Sequence, residues 1–254
     1  MPSTNRAARA PESLPSPPRL NLLTTALFLD LDGTLAGFRP TPADVAPHPE
    51  RSRLVGDLKR WLGGRLVVLS GRPIDDVDRV LEGAALCVAG VHGLERRDRS
   101  GQRIAFAPHA GLPLAEAALQ AFAEAQPGLL LERKTGALAL HYRGHPPARE
   151  ACIDAAARQA QAHDLMLQEG KMVVELRTPG PTKGDALATF MADPEFADAT
   201  PVMVGDDLTD EPAFAAAAAL GGHGILVGEP RESAARYGLA SPSAVRAWLR
   251  ASLA

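Results

Sequence analysis

The stretch Ala26–Leu35 constrains the fold more than any other part of the sequence. It reads ALFLDLDGTL, so an apolar run ends at two aspartates that are separated by one residue and followed by glycine. A short, continuous apolar run predicts a strand that is buried on both faces of a sheet. Because alternate side chains of a strand share a side, we expect Asp30 and Asp32 to point the same way at its carboxyl end. Paired carboxylates favour a hard cation between them or a proton on one of them; the simpler alternative is an Asp-Gly turn without function.

The composition is that of a globular protein. The chain has 254 residues, of which 46% are hydrophobic, enough for one or two domains with a sizeable core. No apolar stretch approaches membrane-spanning length, and the net charge is −3 with scattered basic residues, so we expect neither a membrane nor a nucleic acid as a partner. Cys87 and Cys152 lie in an apolar and a helical run, which fits buried thiols and a cytoplasmic location. The oligomeric state has no signature in the sequence.

Residues 1–21 differ in composition from the rest of the chain. They are rich in Pro, Ser, Arg and Ala, show no periodicity and lack the apolar centre of a secretory signal. We expect a disordered tail, with an Arg- and Ser-containing transit peptide as the alternative.

Two separate parts of the chain, residues 22–107 and 179–254, alternate strands with helices. The expected strands are 26–29, 65–69, 85–89, 201–204 and 224–227, and the expected helices are 50–61, 73–81, 183–191, 214–220 and 242–252. This alternation predicts an α/β fold with a doubly wound, parallel, Rossmann-like sheet. Ligands bind such sheets at the carboxyl ends of the strands.

The residues between these parts, 108–178, follow a different pattern. Helix, strand, strand occurs twice in succession, an αββαββ order that indicates antiparallel α+β structure. We therefore expect one core that is interrupted by a small inserted cap domain, with turn-rich joints near 107–111 and 178–182.

Three core strands end in small polar clusters. They are Asp30-x-Asp32-Gly33-Thr34, Ser70-Gly71-Arg72 and Gly205-Asp206-Asp207, and Lys183 stands at a predicted helix start. On neighbouring strands these groups converge on one crevice, where acids, a hydroxyl, a lysine and a helix N-terminus attract a phosphoryl group. Asp ligands without a nearby His or Cys favour Mg²⁺. From the residues alone, either Asp30 or Asp32 can be the attacking group.

These clusters, in this order, resemble the four motifs of the haloacid-dehalogenase-like (HAD) phosphatases, and the αββαββ insertion resembles their type-two (C2B-like) cap. Within that superfamily the chain resembles the trehalose-6-phosphate phosphatases. The segments that carry this second resemblance are GDDLTDE at 205–211, GVHGLE at 90–95, ERK at 132–134, HYR at 141–143 and GKMVVELR at 170–177.

The resemblance implies a Mg²⁺-dependent hydrolysis of a phosphorylated disaccharide. Asp30 would be the nucleophile and form an aspartyl-phosphate, and Asp32 would protonate the leaving oxygen. The implied metal ligands are Asp30, Asp32 (through its backbone carbonyl) and Asp206, supported by Asp207 or Asp210. The implied phosphate-binding residues are Gly33, Thr34, Ser70, Gly71 and Lys183.

The cap is expected to supply the sugar contacts. In the expected strand 170–177, Lys171 and Glu175 share a polar face, and Glu132 and Lys134 share a side of another strand. These two pairs, with Arg143, resemble the family's disaccharide-binding positions, and His92 is expected either to contact the sugar or to be a structural residue of the joint. Without the resemblance, a Lys/Glu pair on a strand is ordinarily a solvated ion pair, Arg143 a surface charge, and Arg72 a partner for an acid. His141 and His145 are expected to be structural or surface residues.

Three functional alternatives remain at this point. The first is hydrolysis of trehalose 6-phosphate. The second is another sugar phosphate with the same kind of cap, such as sucrose phosphate or a glycosyl-glycerate phosphate. The third belongs to a different class, a signalling receiver module that accepts a phosphoryl group on an aspartate; receivers, however, are single small domains without an inserted cap.

Overall fold

The computed structural model describes residues 13–39, 41–134 and 136–254. Within these residues the strands are β1 (Thr25–Leu29), β2 (Leu66–Leu69), β3 (Cys87–Gly90), β4 (Glu95–Arg97), β5 (Arg103–Ala105), β6 (Leu130–Lys134), β7 (Ala137–His141), β8 (Met166–Gly170), β9 (Val173–Arg177), β10 (Thr200–Gly205), β11 (His223–Val227) and β12 (Tyr237–Leu239). The α-helices are α1 (Pro49–Trp61), α2 (Ile74–Leu81), α3 (Leu112–Glu124), α4 (Arg149–Ala162), α5 (Lys183–Met191), α6 (Glu211–Ala219) and α7 (Pro242–Leu253). Short 3₁₀ helices span Pro42–Asp44, Val91–Gly93, Pro146–Ala148 and Leu208–Asp210.

A large sheet organises the core, with the strand order β12-β11-β10-β1-β2-β3-β4-β5. The strands from β12 to β3 pair in parallel, and β4 and β5 add antiparallel pairs at one edge. Strand β1 lies between β10 and β2, so the carboxyl ends of these three strands are neighbours. The doubly wound α/β core is thereby confirmed.

Strand β1 lies in the middle of the large sheet and is buried along its whole length. Its side chains are therefore covered on both faces of the sheet. Leu27 and Leu29 face a cluster that includes residues of α1, α2 and α7. Ala26 and Phe28 face the opposite cluster, which includes residues of α5 and α6. Alternation along one strand thus places the sheet between two helical layers, and after Thr25 the next polar side chain is Asp30, where β1 ends.

The inserted cap is a separate antiparallel sheet with the order β6-β7-β9-β8. One face packs on α3 and α4 through Leu138, Leu140, Val174 and Leu176. The alternate residues of the same strands, among them Ala139 and Glu175, therefore face the other way, toward the core. The α+β cap with two helices and four strands is confirmed.

The structure corrects the sequence-based expectation in several places. Strands β4, β5 and β12 have three residues each and were not expected. The predicted strand over 170–177 is instead the end of β8, a turn at Lys171 and Met172, and β9; Met172 has a φ of 63°.

The expected disordered tail, residues 1–21, falls partly outside the described residues. Its described portion, 13–21, has little regular structure but contacts the core. The carbonyls of Pro15 and Pro18 accept hydrogen bonds from Gly238 N and Trp248 Nε1, and Leu20 N donates to Ser252 Oγ. For residues 13–21 the expectation of disorder is therefore wrong.

Candidate active site

The centre of the site is a buried ion cluster that joins three distant segments. Lys183 Nζ, in the first turn of α5, donates to Asp30 Oδ1 at 2.8 Å and to Asp210 Oδ1 at 2.6 Å. All three residues are at most 5% exposed. A capping box between Thr182 and Asp185 begins α5 and so fixes the position of the lysine. Burial alone would lower the pKa of Lys183, but Asp210 and Asp30 raise it, so the lysine is charged.

Asp206 follows β10 and lies beside Asp30 at the next strand end. Within the described residues, its Oδ1 accepts only a long hydrogen bond from the Thr34 hydroxyl, at 3.4 Å. Gly33 has a φ of +86°, and a Cβ at this position would lie 2.2 Å from the Asp206 carboxylate. Glycine is therefore required at 33 both for the turn and for the close approach of the second acid.

The electrostatics of this pair favour the binding of a cation. Burial raises the pKa of Asp30 to about 7, although Lys183 opposes the shift. Burial, followed by the charges of Asp30 and Asp210, raises the pKa of Asp206 to about 9. Oxygens of these three carboxylates lie within 4.8 Å of one another. An all-oxygen donor set with excess negative charge fits a hard cation such as Mg²⁺.

Asp210 rather than Asp207 is the acid that supports this loop internally. Asp210 is fully buried, and its Oδ2 accepts the backbone N–H groups of Asp206 and Asp207 at 2.9 and 3.0 Å, while its Oδ1 accepts Lys183. Asp207 instead accepts from Leu208 N and, across the boundary to the cap, from Lys171 N at 3.4 Å. Burial raises the pKa of Asp207.

Asp32 forms an ion pair with Arg72, which follows the end of β2 in the chain. The guanidinium donates from Nε at 2.5 Å and from a terminal nitrogen at 2.8 Å to the two carboxylate oxygens, and it also contacts Asp76. The Arg72 side chain is buried. Ser70 is buried as well, and its Oγ accepts Arg72 N at 3.1 Å. Arg72 is thus the partner of an acid, one of the alternatives that the sequence left open.

The cap contributes two hydrogen-bonded pairs on its core-facing side. Glu132 of β6 contacts His141 of β7 at 2.8 Å, and Lys134 donates to Glu175 of β9. Glu175 also contacts His92 of the core at 2.8 Å. Burial alone would raise the pKa of Glu175, but Lys134 and His92 hold it well below its usual range. Glu175 therefore joins the cap to the core as a buried anion.

His92 is presented by an unusual turn. Val91 and His92 have φ values of 47° and 57°, in the left-handed region that side chains rarely adopt. A Cβ on Gly71 would lie 2.8 Å from the His92 ring, so the strand end and the turn pack closely. Burial lowers the pKa of His92 despite the nearby Glu175, and the ring is neutral near pH 7.

Lys171 and Arg143 lie at the end of the cap near the loop that follows β1. Both cations lie over the ring of Phe38: Lys171 Nζ is 4.9 Å and Arg143 Cζ is 5.4 Å from the ring centroid. Arg143 also donates to the carbonyl of Arg39 at 2.5 Å. The prediction that Lys171 and Glu175 share one strand face is therefore wrong: Lys171 belongs to the turn, and Glu175 pairs with Lys134 and His92.

One cleft of about 930 Å³, open to solvent, connects these groups. Its lining includes the following residues that the sequence singled out for the site: Asp30, Asp32, Gly71, His92, Glu132, Lys134, Arg143, Lys171, Glu175, Lys183, Asp206 and Asp207. The others, Gly33, Thr34, Ser70 and Asp210, lie outside this lining. Sequence reasoning assigned no site role to Phe38, Asp76 or His141, which line it too. For His141 a signal was present, because it belongs to the segment HYR that carries the family resemblance and shares a face of β7 with Ala139.

Among the helices of the described residues, none combines the length and apolar character needed to cross a bilayer.

Comparison with known proteins places the chain in a family. The Trehalose-phosphatase family model matches residues 28–243. The chain is 39% identical over 208 residues to a probable trehalose-phosphate phosphatase of Sinorhizobium fredii, covering 81% of this chain and 78% of that protein. It is 38% identical over 226 residues to trehalose-6-phosphate phosphatase of Escherichia coli, covering 88% and 85%. The fold is similar to that of the C-terminal domain of C. albicans trehalose-6-phosphate phosphatase, with a TM-score of 0.83, 21% identity and coverage of 97% and 99%. The chain therefore belongs to the trehalose-phosphatase family.

Proposed function

We propose that this protein is a Mg²⁺-dependent phosphatase that hydrolyses trehalose 6-phosphate to trehalose and phosphate. The observation that carries the proposal is that Asp30, Lys183 and Asp206 lie together at adjacent strand ends. They line one side of a cleft, and charged residues of the cap line the other side. Residues 108–178 are the proposed cap domain, and the remaining described residues from 22 onward form the proposed catalytic core. Family membership supports the choice of substrate.

In the first step an oxygen of Asp30 attacks phosphorus and the bond from phosphorus to the sugar oxygen breaks. The leaving oxygen takes a proton from Asp32, and the enzyme retains an aspartyl-phosphate. Asp32 is bound to Arg72 in this arrangement. A general acid must lie within hydrogen-bond distance of the atom that it protonates. When substrate binds, Asp32 must therefore release the Arg72 guanidinium and contact the leaving oxygen.

In the second step water attacks the phosphorus of the aspartyl-phosphate. Asp32 takes the proton of that water, the acyl phosphate bond breaks, and phosphate leaves with Asp30 restored. Splitting the reaction in two lowers each barrier relative to direct attack by water.

Cationic groups must stabilise the charge on the transferring phosphoryl group. Lys183 already touches Asp30, so we assign it to one phosphoryl oxygen, with Ser70, Gly71, Gly33 and Thr34 forming the surrounding loops. Asp30, Asp206 and the backbone carbonyl of Asp32 are the residues that would hold Mg²⁺, since both oxygens of Asp210 are already bound. When bound there, the ion neutralises phosphoryl charge and lowers the repulsion between the two acids.

The disaccharide would lie against the core-facing side of the cap. Its hydroxyl groups lose water on binding and need replacement hydrogen bonds. Glu132, Lys134, Glu175, Arg143 and Lys171 offer charged donors and acceptors along the cleft, and His92 meets them from the core.

A substrate panel tests this function. Phosphate release is measured from trehalose 6-phosphate, sucrose phosphate, a glycosyl-glycerate phosphate and phenyl phosphate, with Mg²⁺ and after its removal by a chelator. We expect the highest kcat/KM for trehalose 6-phosphate and loss of turnover without the metal, restored when Mg²⁺ is added back. A higher kcat/KM on another sugar phosphate would overturn the substrate assignment, and undiminished turnover in chelator would overturn the metal assignment.

A further inference from the structure

The cap contacts the core at two places, the joint where the chain crosses between the two parts and the opposite end of the cap. At that opposite end the cap contacts the loop after β1. The chain enters the cap before Leu112 and leaves it after Arg177, and His109 N donates to Thr178 Oγ1 where the two crossings meet. Strands β7 and β9 are five residues long, so their opposite ends are about 17 Å from this joint. At that far end, covalent linkage to the core is absent, and only noncovalent contacts can hold the cap in place.

Phe38 makes two of those contacts. Its ring is 41% exposed, stands in the cleft and has two cap cations over it, Lys171 and Arg143. The neighbouring carbonyl of Arg39 accepts a hydrogen bond from Arg143, and Lys171 N donates to Asp207 on the metal-binding loop. A Cβ on Gly170 would lie 3.1 Å from that Asp207 carboxylate, so the cap turn lies close against the acid.

We propose that Phe38 is the core-side latch of the cap, a positioning residue whose ring holds the two cap cations over the cleft. A cation on an aromatic face is attracted by the ring while its N–H groups stay free for other acceptors. The two side chains are thereby preorganised to donate to sugar hydroxyl groups. This role rests on the proposed function insofar as it concerns the sugar, but the latch itself does not depend on the substrate.

The strength of the contact suits a latch that opens in every cycle. Cation–π contacts at exposed sites are individually weak, and two of them together shift an equilibrium by about tenfold. Loss of the ring should therefore raise the population of the open cap without unfolding either part. An aromatic replacement should preserve the closed population.

Hydrogen exchange of the cap turn 170–172 measures this population directly, in the full chain and without substrate. In Phe38→Leu we expect exchange of this segment to be about tenfold faster than in wild type, and in Phe38→Tyr close to wild type. Trp61→Leu is the matched control, because Trp61 is an exposed aromatic residue of α1, 63% accessible, and should leave the segment unchanged. Wild-type exchange in Phe38→Leu, or equal acceleration in the Leu and Tyr variants, would overturn the latch.

Turnover adds a second readout. Phe38→Leu should lower kcat/KM for trehalose 6-phosphate about tenfold and lower it less for phenyl phosphate, which has no sugar for the cap to bind. If wild type fails to release phosphate from trehalose 6-phosphate, the proposed function fails while the exchange result still decides the latch. If Phe38→Leu does not fold, Lys171→Met tests the same contact from the cap; a few-fold acceleration of exchange supports the latch, and none overturns it.

Discussion

The proposed phosphate site of the core and the proposed sugar cleft under the cap are both built from charged side chains, but the two parts bury these side chains to different degrees. In the core, Lys183 and Asp210 are almost completely buried, and every oxygen of Asp210 has a partner within the core. In the cap, Glu175 is buried with Lys134 and His92, but Glu132 and His141 are partly exposed, and Phe38, Lys171 and Arg143 meet across the boundary between the two parts.

This difference suggests that the ion cluster of the core is rigid, whereas the contacts of the cap can open and close. Breaking a buried ion cluster leaves an uncompensated charge away from water, whereas exposed pairs re-form easily and contribute little each. In the proposed function, the core would therefore keep its catalytic groups fixed while the cap releases and rebinds the substrate. Changes in the core should affect all substrates equally, and changes in the cap should affect the disaccharide most.

The largest effect is expected from Asp30→Asn. The amide cannot form the acyl phosphate, so phosphate release from both trehalose 6-phosphate and phenyl phosphate should fall by about 10⁴-fold or more. Asp75→Asn is the control, since Asp75 is an exposed acid of α2 that pairs with Arg103. Initial rates with purified protein measure the effect; substantial turnover by Asp30→Asn would remove Asp30 from the role of nucleophile.

The next largest effect concerns stability. Lys183→Met leaves Asp30 and Asp210 buried without their cation and should lower the free energy of unfolding by about 3–5 kcal/mol. Lys59→Met, on the less buried α1 surface, should stay within about 0.5 kcal/mol of wild type. Urea unfolding followed by circular dichroism measures both. A loss below about 1 kcal/mol for Lys183→Met would mean that the core cluster is no more rigid than the cap pairs.

The same division explains what the sequence could predict. The core site follows from local signals: an apolar run before Asp30, glycine at 33, and the capping sequence from Thr182 that begins α5. Parallel strands bring their carboxyl ends to one edge, so their meeting follows from the order of elements alone. Three-residue strands such as β12 have no pattern of their own and exist only because a neighbour pairs with them.

The cap contacts could not be predicted in the same way because they depend on pairing between distant strands. Alternation placed Lys171 with Glu175, but the pairing of β8 with β9 makes a hairpin turn at Lys171 and Met172. His141 reaches Glu132 only because of the register between β7 and β6. The contact of Phe38 with the cap depends on how the two parts meet, which no local pattern specifies.

A smaller effect is expected from a substitution in the cap, and its size should depend on whether the substrate carries a sugar. Glu132→Gln keeps the shape of the side chain but removes the charge that faces the cleft, so kcat/KM for trehalose 6-phosphate should fall by about 10- to 100-fold, the usual strength of a charged hydrogen bond. The loss on phenyl phosphate should be smaller. Glu116→Gln is matched to it, because Glu116 pairs with Arg133 on the helical side of the same sheet. Equal losses on both substrates would place Glu132 with the core chemistry.

The smallest effect is a pH dependence of stability from the boundary between the two parts. Burial lowers the pKa of His92, with Lys183 and Lys134 adding to the shift and Glu175 opposing it. The unfolded chain, in which a histidine has a pKa of about 6.5, therefore binds more protons just below that pH, and the free energy of unfolding decreases as pH falls through about 6.5. The pKa of Glu175 is held well below its usual range, so its own contribution is lost only at more acidic pH.

His92→Gln retains a donor for Glu175 but does not titrate. Between about pH 7.5 and 5.5 its free energy of unfolding should change less than that of wild type, by up to about 1.4 kcal/mol for each unit of the pKa difference. Burial also lowers the pKa of His223, so His223→Gln should remove a separate share of the slope without altering the exchange of the cap turn. A wild-type slope in His92→Gln would mean that the ring accepts its proton without cost, and the boundary between cap and core would then be as open to water as the rest of the cleft.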